Sequence, residues 1–221
     1  ALHAKAARWY QSHGMLPLAV SHYLQGRHYA EAFALVETQL GGYASKNEYE
    51  TARVWLERIP EEYKEKSVKT AVFYSMYHAQ GRAFQAAHEW LGRAKELLAR
   101  DENGAAFSQS HTLVVLAALN LLLREGNVEA LLRLIRSESI LSGDTFKTIE
   151  YADLNNSSIY MYRSPVRVMV KLYETDRDAF HKLRDYHNIL SLHNPGFMPL
   201  ASGEYLYERN RAEEALPLFV S

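Results

Sequence analysis

Residues 81–97 read GRAFQAAHEWLGRAKEL, a glycine turn followed by Phe84, Ala87, Leu91, Ala94 and Leu97. Intervals of three, four, three and three residues keep those side chains on one face of an α-helix. The small residues Ala87 and Ala94 let a neighbouring helix approach closely, while Phe84 and Leu91 fill the groove between the two. The same order returns at Gly14, Leu16, Ala19 and Tyr23, at Gly26, Tyr29, Ala32 and Val36, and in residues 211–215 with Phe219. Partner helices are expected before these turns, over 4–13, 67–80, 108–124 and 197–208. Gly126-Asn127 is a further turn, with a returning helix over 128–136.

No stretch alternates in the manner of a strand, so the fold class is all-α. A helical hairpin cannot bury its apolar face alone and implies others stacked behind it. The expected architecture is therefore a right-handed α-solenoid of tetratricopeptide-like hairpins, spanning 1–221 as one domain. Two places interrupt the repeat. Ile59-Pro60-Glu61-Glu62 ends one helix and places proline in the first turn of the next, where its missing N–H costs little. The longer interruption, about 137–164, reads as a non-repeat insert, after which Ser164-Pro165 starts a helix. Irregular segments within a repeat array commonly carry its specific function.

Composition narrows the function classes. Hydrophobic residues make up 48% of the 221, enough for a continuous core, so the chain is a folded one. Lys and Arg number 25 against 26 Asp and Glu, which leaves no excess positive charge to displace counterions from nucleic acid. The absence of cysteine excludes a disulfide scaffold and thiolate-bound zinc. The longest apolar run, 113–123, contains Asn120 and falls short of the roughly 20 residues a membrane span requires. Without the ordered regions of a signal peptide at the start, the expected location is the cytoplasm, with no membrane partner. At the other end, Leu216, Leu218, Phe219 and Val220 lack the polar outer face of a capping helix. The expectation is a piece of a longer protein.

His3, Ala6-Ala7-Arg8-Trp9-Tyr10, Gly14, Ala19, His22 and the helix over 26–36 resemble the start of the helical-repeat region in MalT-type transcriptional regulators. These are LuxR-type members of the signal-transduction ATPases with numerous domains. Trp55-Leu56-Glu57-Arg58-Ile59-Pro60 is similar to the family's tryptophan–leucine helix end, and residues 204–219 to one of its later repeats. The resemblance implies an effector-sensing module of a regulator whose other parts bind ATP and DNA. It implies a small-molecule inducer and other domains or copies of the parent regulator as partners. The resemblance implies ATP for the parent protein; this chain has no phosphate-binding Gly-x-x-x-x-Gly-Lys-Ser/Thr loop, and no cofactor is expected in it.

Histidine and carboxylate patterns give no strong catalytic or metal site. His22 and His28, His181 and His187, and His187 and His193 are each six apart, on different helical faces, whereas zinc favours histidines four apart. Asp178, His181 and Asp185 share a face but lack a nucleophile or an oxyanion donor. The expectation is a binding protein and not an enzyme. Tyrosine, present fifteen times, combines a flat apolar body with a polar tip and suits ligand recognition. The candidate ligand contacts are Tyr74 and His78 on one helix, Asn120 among leucines, and Tyr151, Asn155, Tyr160 and Tyr162 in the insert. Arg163 and Arg167, with Lys171, flank the capped Pro165 helix start and suit an anionic group there. The rival expectation is a tetratricopeptide-like scaffold that takes a peptide or a partner helix in its concave face.

Overall fold

A computed structural model of the chain describes residues 2–45, 48–100 and 107–137, together with 178, 203, 206, 207 and 210–219. Among the described residues every regular element is an α-helix. In chain order they are α1 (Leu2–Ser12), α2 (Leu16–Gln25), α3 (Tyr29–Ser45), α4 (Tyr49–Arg58), α5 (Glu61–Lys64), α6 (Val68–Gln80), α7 (Phe84–Arg100), α8 (Phe107–Glu125) and α9 (Val128–Ser137), followed by the helix Ala212–Phe219. The expected helix over 197–208 and the insert over 137–164 lie outside the described residues, apart from single positions.

Among the described residues one turn is used five times. Gly14, Arg27, Arg82, Gly126 and Asn210 adopt left-handed backbone, with φ between 57° and 74°. The N–H of the next residue then donates back to the preceding helix: Met15 to Tyr10, His28 to Tyr23, Ala83 to His78, Asn127 to Leu122 and Arg211 to Leu206. These bonds satisfy carbonyls that a helix end would otherwise leave open, as in a Schellman cap. The next helix starts at once. Its first bond runs to the same post-turn residue from Ala19, Ala32, Ala87, Leu131 and Ala215, all fully buried. A turn of fixed shape thus brings the fifth residue after it against the neighbouring helix, where four of the five side chains are a single methyl.

Glycine plays two roles in these turns, where the sequence pattern suggests one. At 14 and 126 it takes the left-handed conformation itself. In Gly26-Arg27 and Gly81-Arg82 the arginine takes it, while the glycine stays in ordinary helical or near-helical backbone. Gly26 is explained by crowding: a Cβ there would lie 2.8 Å from His28 Cδ2 and 2.9 Å from His3 Cβ. Pro60 also sits one place earlier than expected. It is the N-cap of α5, and its carbonyl accepts from the Tyr63 N–H. Ser67 is the N-cap of α6, accepting from Thr70 N at 3.0 Å and donating to Glu37 on α3.

The helices pack mainly with their chain neighbours, and α6 is the hub. It meets α3, α7 and α8, while α7 also meets α8, and α8 meets α9. Seven of the thirteen α6 residues are buried, including Phe73 and Met76. The buried Ser75 hydroxyl donates to the Ala87 carbonyl at 2.9 Å, which fixes how closely α7 approaches. Leu40, Leu56, Leu113, Leu119 and Leu131 continue the same core from α3 to α9.

Candidate functional site

Tyr74, Tyr77 and His78 stand three and four residues apart on α6 and therefore share a face. The opposite faces of α6 are buried in the core, so this one is left to the side chains of α4 and α7. On α4, Glu50, Arg53 and Glu57 occupy one exposed stripe. Arg53 donates to Glu50 at 2.8 Å and pairs with Glu57. The Tyr77 hydroxyl donates to Glu50 Oε1 at 2.9 Å, while the Arg53 guanidinium lies 5.9 Å from the Tyr77 ring centre. These contacts tie α4 to α6 through one carboxylate, one guanidinium and one phenol.

On the α7 side, Tyr74 stacks against Trp90 with ring centres 4.6 Å apart. Arg93 covers Trp90 at 5.1 Å and bonds Glu61 on α5 and the carbonyl of Glu65, the C-cap of that helix. An aromatic row, Trp90–Tyr74–His78–Tyr77, therefore runs from α7 onto α6, with an ion-paired arginine at each end, Arg93 on α7 and Arg53 on α4. Tyr49 adds a further ring, 6.3 Å from Tyr77 and 5.5 Å from Phe73.

An open cleft of about 550 Å³ lies beside this row, lined by Tyr49, Glu50, Tyr77, His78, Gln80, Gly81 and Ala83. A larger one, about 690 Å³, is lined by Glu65, Lys66, Glu89, Arg93, Glu96 and Arg100 among others. Charges of both signs alternate there, which suits mutual pairing and solvation. The aromatic cleft is the better recognition site because it offers flat apolar faces together with a few polar groups.

Its ionisable groups are tuned by their neighbours. Hydrogen bonds from Arg53 and then Tyr77 hold the Glu50 carboxyl below its usual range. The bond to Glu50 in turn raises the Tyr77 phenol. Burial pushes Tyr49 up to about 12 against the field of Arg124. Burial also lifts Tyr74 to about 12, helped by Glu57 and Glu61. Burial lowers His78, and Glu89 opposes it, so the imidazole at neutral pH is a neutral donor and acceptor. The cleft thus presents neutral phenols, a neutral imidazole and one ionised carboxylate.

The structure places Tyr74 and His78 on the same face of α6, their rings 6.5 Å apart, with His78 on the cleft wall. Asn120 is elsewhere, on α8, where its Oδ1 accepts from Arg124 Nε at 2.8 Å. Its partner is thus a side chain one turn along its own helix. Tyr151, Asn155, Tyr160, Tyr162, Arg163, Arg167 and Lys171 lie outside the described residues, as do His181 and Asp185. Asp178 is exposed on a helix. Reading single helices missed Tyr49, Glu50, Arg53 and Trp90. The signal for three of them was present in the Glu50, Arg53, Glu57 stripe, which runs at helical spacing one place after Tyr49.

The described residues contain no group of three or more histidines and carboxylates placed to hold a metal ion. No helix among them is long and apolar enough to cross a membrane. The chain matches no protein-family model, no curated protein and no solved structure.

Proposed function

We propose that this chain is the effector-sensing module of a MalT-type, LuxR-family transcriptional regulator, built as a right-handed solenoid of tetratricopeptide-like hairpins. The observation that carries the reading is the recurring turn, with its left-handed residue followed five positions later by a buried small side chain. Helices joined in this way stack on chain neighbours, as repeat proteins do. The cleft beside Tyr49, Tyr77 and His78 is the candidate effector site. An effector that binds one arrangement of α4 and α6 better than another shifts the population toward it. In the parent protein that shift is relayed to self-association and DNA binding.

A second reading is favoured by the openness of the cleft, since an open groove also suits a peptide or a partner helix. A thermal-shift screen of the chain against sugars, aromatic acids, nucleotides and short helical peptides separates the two. A small molecule at a hundred times its Kd should stabilise the fold by about 2.7 kcal/mol. Substituting His78→Ala should remove that gain. Stabilisation by peptides alone would replace the sensor with the scaffold. Small-molecule binding untouched by His78→Ala would move the site away from this cleft.

A further inference from the structure

Two histidines bridge α1 and α2. His3 Nδ1 lies 3.0 Å from His22 Nδ1, and the Tyr10 ring stacks on His22 with centres 5.3 Å apart. A hydrogen bond between two Nδ1 atoms requires one ring to donate and the other to accept. It forms between two neutral rings of opposite tautomer, and it strengthens when the donor is an imidazolium. Once both rings are imidazolium, two N–H groups and two positive charges face each other, and the bond is gone.

We propose that His3 and His22 form a proton-operated latch between α1 and α2, closed while at most one of them is charged and opened by the second proton. The surroundings favour opening. Residues 1–30 contain Lys5, Arg8, Arg27 and the histidines 3, 13, 22 and 28, with no aspartate or glutamate. Tyr10 from α1 stacks on the pair at His22. From the α2–α3 turn, His28 lies against Gly26 beside His3, and Tyr23 on α2 meets His28 edge-on at 6.5 Å. Glu31 on α3 is the first carboxylate in the chain, and its partner is His28, at 3.6 Å. Arg8 donates to the Ala4 carbonyl on its own helix, and His13 bonds the Trp9 carbonyl at the far end of α1. Among the described residues, then, no carboxylate is paired with either histidine of the latch to offset a second proton. Since the docked arrangement loses its Nδ1–Nδ1 bond on the second protonation, acid weakens docking.

Hydrogen exchange of the full chain between pH 8 and pH 5, corrected for intrinsic rates, tests the latch. Amides of α1 and α2 should lose roughly tenfold in protection, the scale of one hydrogen bond, while those of α6 to α8 keep theirs. In His3→Gln the amide offers His22 either a donor or an acceptor, so the loss should vanish. No loss in the wild-type chain, or an equal loss in the variant, overturns the latch. Should the variant fail to fold, nitrogen-15 spectra of the wild-type imidazoles decide the matter. Two coupled steps, with one Nδ1 still unprotonated after the first, support it, and two independent titrations overturn it.

Discussion

α1 and α6 are helices of similar length, 11 and 13 residues, that bury very different shares of themselves. α1 buries Ala4 and Ala7 and leaves Leu2 81% and Trp9 53% exposed. α6 buries seven residues and shows solvent little beyond its aromatic face. Both end in the same left-handed turn, so local signals do not make the difference. Neighbours do: α6 is packed by α3, α7 and α8, and α1 principally by α2. Helical stability in proteins comes chiefly from such tertiary packing. The α6 hub should therefore govern global unfolding, and the α1–α2 hairpin should open locally at lower cost.

Truncating one large side chain in each helix puts that contrast at risk most directly. Phe73→Ala empties a site only 2% exposed and should cost about 3–5 kcal/mol. Leu2→Ala removes a side chain already in water and should stay within about 0.5 kcal/mol. Urea unfolding followed by circular dichroism measures both. Equal losses would mean that α1 is as deeply engaged as α6, and the contrast would fail.

The paired Gly-Arg turns allow a finer comparison, because the same substitution should change sign between them. Gly26→Ala drives a methyl to within 2.9 Å of His3 Cβ, and overpacking of this kind costs roughly 1–3 kcal/mol. Around Gly81 the nearest atoms to a Cβ are carbonyl oxygens at 3.7 and 3.8 Å, an ordinary contact. Gly81→Ala should therefore stabilise by about 0.4–1 kcal/mol through the unfolded chain. The same midpoint measurement checks both signs. Two losses would mean that the second turn is as tight as the first.

Much of this was legible in the sequence, for a physical reason. Schellman turns and buried alanines are local features, set by residues within one helix and its turn, so Gly14, Ala19, Ala32 and Ala87 announced the helices in advance. That Tyr74 and His78 lie on one helix was legible likewise. What the sequence hid depends on how separate helices come to rest. Tyr77 finds Glu50 across 27 residues, and His3 finds His22 across 19. Within one helix those histidines have no partner of their own kind, so spacing rules passed over them. Arginine in the left-handed position at 27 and 82 was hidden for another reason: an adjacent glycine made the easier assignment.

The smallest expected effect concerns the bond that pins α4 to α6. Glu50 is held low first by Arg53 and then by the Tyr77 hydroxyl. Tyr77→Phe removes only the second, so the Glu50 pKa should rise yet stay below the usual carboxylate value. A depressed carboxylate contributes stability above its ordinary range and loses it as pH falls through the depressed value. The variant should therefore lose a little of its acid sensitivity, with little change in unfolding midpoint at neutral pH, since the pair is exposed. The carbon-13 shift of the Glu50 carboxyl against pH reads this directly. Tyr49→Phe serves as the control, because Tyr49 is not among the groups that hold Glu50 low. An unmoved Glu50 in Tyr77→Phe would mean that the phenol does not hold the carboxylate in solution, and the cleft would then lose its fixed wall between α4 and α6.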